Sequence, residues 1–304
     1  MAKVKIGTRG SQLALAQAHE TRRRLMAAHG WREDDVEIVV IKTTGDMIRD
    51  RPLAEIGGKG LFTKEIEEAL LDGRIDLAVH SMKDVPAVLP EGLVISTNLP
   101  REDARDAFIS PVAASIDELP RGAKVGTSSV RRAAQLLAMR PDLEIGQFRG
   151  NVGTRLEKLK KGEVAATFLA CAGLNRLGLS AEITQAVPVE VMLPAVAQGA
   201  IGIEIREDDG KTAEMLAPLN DENTRVAVAA ERGFLIELEG SCRTPLAAHA
   251  VVRDGEVQLI CEALSLDGRQ RWRAERKGPM RDAGEMGRDA AREILAKAGD
   301  GLVL

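Results

Sequence analysis

At 304 residues, with 44% hydrophobic and 29% charged residues, the chain suits a globular protein of two or three domains. A formal net charge of −4, with only two Trp, five Phe and no Tyr, argues against a general nucleic-acid binder or a base-stacking platform. No stretch reaches the ~20 apolar residues of a membrane helix, and the start, Met1-Ala-Lys-Val-Lys-Ile-Gly7, lacks a secretory apolar core, so a cytoplasmic location is expected.

The first two hundred residues alternate strand and helix signals. Val4–Gly7 reads as a strand leading into a helix opened by Ser11, with Leu13, Ala14, Gln17 and Ala18 on one face and Gly30 beyond its end. Val36–Ile41 is a β-branched run and is expected as a buried strand. A glycine-rich loop, Gly57–Gly60, precedes a helix over Thr63–Leu71, closed by Gly73 and followed by a strand over Ile75–Val79. Strand Lys124–Gly126, helix Val130–Met139, strand Leu143–Phe148, helix Thr154–Lys160 and strand Val164–Ala170 continue the pattern. Repeated strand–helix pairs predict an α/β fold: parallel sheets covered by helices, in two lobes with a cleft. Ile201–Ile205 is a late strand that can return to the first lobe. After Asp221 a long helix runs to about Glu239. Three strand-like segments then follow, joined by Asp254-Gly255 and Asp267-Gly268, and a last helix spans Asp282–Ala298. This predicts a small C-terminal α+β domain with a three-stranded antiparallel sheet. The domain division expected is 1–99 with 200–219, then 100–199, then 220–304.

Positive charge gathers in one place. Arg121–Lys161 holds ten Lys or Arg against three Asp or Glu. Within it, Thr127 and Ser129 open a helix with Arg131 and Arg132 in its first turn, and Arg149-Gly-Asn-Val-Gly-Thr-Arg155 repeats the device. Helix starts offer unpaired N–H groups, and the guanidinium fork suits carboxylate or phosphate. Either loop alone reads better as a plain capped helix with a solvated face; the two together point to an anion site. No G-x-x-x-x-G-K-[ST] and no G-x-G-x-x-G after the first strand is present, which argues against a nucleotide fold.

His80-Ser-Met-Lys-Asp-Val-Pro86 follows the third strand. Asp84 beside Lys83 suits proton transfer or stabilisation of a cation, or else an ordinary turn in which Asp84 caps its own backbone. The three cysteines, Cys171, Cys242 and Cys261, are too few and too far apart for a disulfide framework or a zinc site. Cys171 and Cys261 sit among apolar neighbours. Cys242 sits in a loop after a helix end, beside Arg243, which favours its thiolate.

Taken together, Gly7–Ser11, Gly57–Phe62, Val79–Pro86, Arg101–Asp103, Gly126–Ser129, Arg131-Arg132, Arg149–Arg155, Ala172–Leu174, Arg176–Gly178, Leu193–Ala195, Gln198-Gly199 and Gly240–Cys242 closely resemble the hydroxymethylbilane synthase (porphobilinogen deaminase) family. The likeness covers almost the whole chain. It implies two lobes of the periplasmic-binding-protein (type II) kind plus the third domain carrying the cysteine. It implies a dipyrromethane cofactor joined to Cys242 through a thioether, four porphobilinogen molecules added in turn with loss of ammonia, and hydrolysis to linear hydroxymethylbilane. Asp84 would be catalytic. Lys83, Ser81, Thr127, Ser129, Arg131 and Arg132 would hold the cofactor. Arg9, Ser11, Arg149, Arg155, Arg176, Lys59, Phe62, Gln198 and Gly199 would meet substrate, with Thr44–Gly60 as a lid. Glu55 stands where many members carry Lys. The resemblance implies a monomer with no metal, no nucleic-acid partner and no membrane. A solute-binding protein of the same lobed fold, or another transferase acting on phosphate-bearing substrates, are the rival readings.

Overall fold

The structure is a computed structural model that describes residues 3–47, 63–238 and 244–302. The Gly57–Gly60 loop, the greater part of the Thr44–Gly60 segment with Glu55 and Lys59, Phe62, and the loop carrying Cys242 lie outside the described residues.

Strand β1 (Val4–Arg9) feeds α1 (Gln12–His29). Ser11 caps that helix by accepting a hydrogen bond from Ala14 N at 3.2 Å, and Gly30 ends it at φ 63°. Strand β2 (Val36–Ile41) pairs parallel with β1. It was expected to be buried, yet Val40 is 52% exposed, because β2 is the edge strand of its sheet. A β-branched run reports extended backbone more faithfully than it reports burial. The short helix α2 (Thr44–Met47) and α3 (Lys64–Leu71) precede β3 (Leu77–Ser81), which runs two residues beyond its expected end at Val79. Then β4 (Leu93–Asn98) and β5 (Asp106–Ile109) follow with no α-helix between them, breaking the expected alternation. Next come β6 (Lys124–Gly126), α4 (Val130–Met139), β7 (Glu144–Gly146), α5 (Val152–Lys160), β8 (Ala166–Ala170), α6 (Cys171–Arg176), β9 (Gln185–Ala186) and β10 (Ile201–Arg206). The chain closes with α7 (Gly210–Leu216), α8 (Glu222–Glu237), β11 (Leu246–Arg253), β12 (Glu256–Leu264), β13 (Arg271–Pro279) and α9 (Ala283–Ala298).

The chain divides into two compact units. The first comprises Met1–Glu102 with Ala200–Arg225. Its sheet has the order β2-β1-β3-β10-β4, with β10 antiparallel to both neighbours. Val4, Ile6, Leu77, Val79, Ile201 and Ile203 pack on one side with Leu25 of α1, and Ile66 and Leu70 of α3 gather with Ile75 and Leu93 in a second core. With helices on both faces the central strands are mostly apolar, each buried Leu or Ile contributing about 1.5–3 kcal/mol.

The second unit comprises Asp103–Gly199 with Val226–Leu304. Its larger sheet, β7-β6-β8-β5-β9, repeats the plan: β6 lies between two parallel neighbours, and β5 runs antiparallel to β8 and β9. Both five-stranded sheets are therefore mixed rather than purely parallel. Phe108 and Phe168 set their rings 5.5 Å apart and tilted by 56° in one core. In the same unit β11, β12 and β13 form an antiparallel sheet. Its first turn has Asp254 and Gly255 at φ 52° and 76°, the conformation a two-residue hairpin demands. Helices α8 and α9 cross closely because a Cβ on Gly287 would lie 2.0 Å from Ala230 O. Among the described residues no helix is long and apolar enough to cross a membrane.

Candidate functional site

In the first unit, β1 and β3 deliver the polar residues. Strand β3 continues through His80 and Ser81, so His80 is a strand residue and 6% exposed, and the turn is confined to Met82–Asp84. Met82 and Val85 are buried, and Val85 N closes the turn on Met82 O at 3.2 Å. Met82 fits because Gly202 on β10 has no side chain; a Cβ there would lie 2.0 Å from its sulfur. With those two anchors inward, Lys83 and Asp84 are left exposed. Asp84 shares a recess with Arg9, Ser11, Gln17, His80 and Ser81. Gln17, 3% exposed, exchanges hydrogen bonds with Ser81 Oγ at 2.8 and 3.2 Å. His80 Nε2 lies 2.9 Å from Glu204 Oε2, itself fully buried on β10.

In the second unit, the end of β6 runs into three hydroxyls. Thr127 Oγ1 accepts from Ser129 N at 3.1 Å, Ser128 Oγ from Phe148 N at 3.1 Å, and Ser129 Oγ caps α4 by accepting from Arg132 N at 3.4 Å. A hydroxyl that accepts from the backbone keeps its own proton to donate. Arg131 and Arg132 follow, at 4% and 6% exposure, so neither belongs to a solvated face. Nor are they open cations. Arg131 Nη1 donates to Asp106 Oδ2 at 2.7 Å and to Leu193 O at 2.8 Å. Arg132 donates from Nε and Nη2 to Asp106 Oδ1 at 3.1 and 2.6 Å, and from Nη1 to Phe168 O at 2.8 Å. Gln198 Nε2 adds a third donor side chain, 3.0 Å from Asp106 Oδ1 and 2.8 Å from Ala104 O. Burial alone would raise the Asp106 carboxyl, but the charges of Arg131 and Arg132 hold it well below the usual carboxylate range. Arg131 Nε, buried, has no hydrogen-bond partner among the described residues.

The second helix start is built the same way. Asn151 caps α5, its Oδ1 accepting from Thr154 N and Oγ1, each at 2.9 Å. Gly150 stands at φ 128°, where a Cβ would also meet Thr154 at 2.8 Å. Arg149 is half-buried on one side of this turn, and Arg155 on the other donates from Nε to Gly150 O at 2.9 Å. Burial, then repulsion from Arg132 and from Arg149, pull the Arg155 guanidinium down to about 10. An arginine repelled by two others describes a place made for negative charge. Arg176, ending α6, donates from Nη2 to Gly199 O at 2.9 Å, and Gly199 holds φ 88°.

The structure thus brings Arg9, Ser11, Ser81 and Asp84 together in one unit, and Thr127, Ser129, Arg131, Arg132, Arg149, Arg155, Arg176, Gln198 and Gly199 in the other. Cys242, Lys59 and Phe62 lie outside the described residues. Sequence reasoning passed over Asp106 and gave Gln17 and Glu204 no part in a polar site, reading Gln17 only as one residue of a helix face and Glu204 only as part of a strand. Two of them had a visible signal: Asp106 heads the apolar run Asp106-Ala-Phe-Ile109, and Glu204 sits inside the apolar run Ile201-Gly-Ile-Glu-Ile205. Cys171 and Cys261 are buried; burial, aided by Asp103, pushes the Cys171 thiol up to about 12, and burial pushes Cys261 well above its ordinary value. Neither is a thiolate near neutrality.

Residues 4–214 match the family model described as porphobilinogen deaminase, dipyromethane cofactor binding domain, and residues 226–296 match the porphobilinogen deaminase C-terminal domain. A porphobilinogen deaminase of Paracoccus denitrificans (strain Pd 1222) is 59% identical over 295 residues, covering 97% of this chain and 94% of that protein. A chloroplastic porphobilinogen deaminase of Oryza sativa subsp. japonica is 57% identical over 303 residues, covering 98% and 85%. Among solved structures, a periplasmic substrate-binding protein of an ABC transporter from Coxiella burnetii superposes with a TM-score of 0.44 at 16% identity, over 72% of this chain and 92% of that one.

Proposed function

The chain belongs to the porphobilinogen deaminase family, and from that premise we propose that it acts as a hydroxymethylbilane synthase. It condenses four porphobilinogen molecules head to tail, releases one ammonia at each addition, and frees the linear hydroxymethylbilane by hydrolysis. The observation that carries the residue assignment is the contrast between Asp84, an exposed carboxylate on a short turn, and Arg155, repelled by Arg132 and Arg149.

Asp84 is the catalytic residue in this reading. As a carboxylate it accepts hydrogen bonds from pyrrole N–H groups and stabilises the positive charge that develops as ammonia leaves. Lys83, next to it, and the Ser81 hydroxyl complete that end of the site. Arg9 and Ser11 of the first unit and Arg149, Arg155 and Arg176 of the second are assigned to the acetate and propionate groups of the substrate, and Gln198 and Gly199 to substrate as well; Lys59 and Phe62 are assigned here on the resemblance alone.

A dipyrromethane fits the residues present. It carries several carboxylates, and the site offers crowded guanidinium groups, helix-start hydroxyls at Thr127 and Ser129, and the unpartnered Nε of Arg131. The share of Arg131 and Arg132 in holding it rests on the N–H groups that Asp106 leaves over. When bound, the group supplies the pyrrole carbon to which the next ring is joined. Cys242 is its point of attachment in this proposal, in keeping with the inert, buried state of Cys171 and Cys261. We also retain a division into 1–99 with 200–219, 100–199 and 220–304; family matches ending at 214 and resuming at 226 support its last boundary alone. A monomer working in the cytoplasm completes the proposal.

Incubation with porphobilinogen tests the activity, because a solute-binding protein releases no ammonia and forms no product that cyclises to a porphyrin. Intact-mass measurement tests the attachment. The purified protein should exceed its sequence mass by two pyrrole units, located on the peptide containing Cys242; Cys242→Ser should lose both the mass and the activity, and Cys171→Ala and Cys261→Ala should keep them. An active protein at its bare sequence mass would refute the attachment.

A further inference from the structure

Glu231 lies on α8 among Ala227, Ala230 and Phe234, on the face the helix buries, and is itself 0% exposed. Its two oxygens are divided between two segments. Oε1 accepts from Ala250 N on β11 at 2.7 Å, and Oε2 accepts from Ala197 N at 2.5 Å. Ala197 stands at φ 58°, the left-handed region that a residue with a Cβ seldom adopts, and it is buried at 1% exposure. The residues that follow are those assigned to substrate. Gln198 is tied by its amide to Asp106 and Ala104, and Gly199 receives Arg176 on its carbonyl. A turn held in a disfavoured conformation persists only where its surroundings over-determine it.

We propose that Glu231 is a positioning residue of the substrate site: by gripping the Ala197 N–H it keeps the left-handed turn that presents Gln198, Gly199 and, through the Gly199 carbonyl, the Arg176 guanidinium. This rests on the assignment of those three residues to substrate above. The carboxylate is chemically required. Two backbone N–H groups from separate segments each need an acceptor oxygen, and glutamine would set an N–H donor against one of them. Charge also shortens and strengthens both bonds. Were the grip lost, Ala197 would relax towards negative φ and rotate the next two peptides out of place.

A double-mutant cycle with Glu231→Gln and Ala197→Gly tests this, reading kcat/KM per folded enzyme from ammonia release on porphobilinogen. Glycine adopts positive φ without a Cβ penalty, so the turn should hold itself. Glu231→Gln is expected to lower kcat/KM tenfold or more in the native background, and threefold or less in the Ala197→Gly background. Equal losses in both backgrounds overturn the proposal, as does a loss below twofold in the first. If Glu231→Gln does not fold, hydrogen exchange on the native enzyme decides: the Ala197 amide should be as protected as the amides of β8, and exchange at the rate of an exposed turn overturns it. A native enzyme that releases no ammonia would instead count against the family activity, not against this grip.

Discussion

Arg132 meets Asp106 side-on, with Nε 3.1 Å and Nη2 2.6 Å from the same carboxylate oxygen, and both side chains are buried. Buried ion pairs gain little over apolar packing, but removing one partner strands the other. Asp106 answers to two arginines and to Gln198 together. Its effect is to set where α4 and the residues before β10 stand, more than to add stability.

Asp106→Asn is accordingly expected to cost about 3–5 kcal/mol of unfolding free energy at neutral pH, by leaving two buried guanidinium groups short of charge. The pH dependence has a definite sign. The folded carboxyl sits below the unfolded value of about 3.9, so its stabilisation is complete above that value and is lost as pH falls towards the folded one. Urea unfolding at pH 7, 5 and 3 should give a constant gap between native and variant at the first two and a narrower one at the third. A gap unchanged at pH 3 would show that the charge of Asp106 is not what matters.

Asp84→Asn should leave the melting temperature unchanged, since the side chain is exposed and the turn is anchored by Met82 and Val85. Turnover should drop by about 10²–10³, the usual loss when one charge-stabilising group is removed, while the added mass on Cys242 remains. Activity within a few-fold of the native enzyme would remove Asp84 from its assigned role.

For Arg155 the expected effects on stability and activity point in opposite directions. Burial and the neighbouring Arg132 and Arg149 disfavour its charged form in the folded state, pulling it down to about 10. Below that pH the charge works against folding, and the penalty fades as pH rises through 10 and the proton leaves. Arg155→Met should therefore hold or raise the melting temperature at pH 7, offset in part by the lost bond to Gly150 O, worth about 1 kcal/mol. Activity should fall about 10- to 100-fold, as expected for a hydrogen bond to a charged group, with intermediates bearing fewer pyrroles accumulating. Reduced melting temperature with intact kinetics would make Arg155 a structural residue.

Local features of this chain were legible in its residue order. Ser11, Ser129 and Gly30 announce helix ends through short-range chemistry, and Asp254-Gly255 announces a hairpin. The apolar surroundings of Cys171 and Cys261 foretold their burial. What escaped depends on partners far away in sequence. Asp106 is joined to residues 25, 26 and 92 positions on, and His80 to one 124 positions on, so no spacing rule reveals either. The exposure of Val40 is likewise a matter of strand order, which β-branching does not encode. Arg131 and Arg132 show both sides: their place at a helix start was readable, their internal carboxylate was not.

The position of β10 bears on how the protein is made. It lies between β3 and β4, yet its residues come about a hundred positions after β4. A ribosome adding 5–20 residues per second needs roughly 5–20 s to cover that distance. Throughout that interval β3 and β4 have no strand between them, and their unpaired N–H and C=O groups are an invitation to wrong pairing. All the strands of the other large sheet, β5 to β9, are synthesised within the same interval. Of the two five-stranded sheets, the one that starts first is thus the one completed last. Nascent chains truncated before Ile201 should be the ones that most need a chaperone.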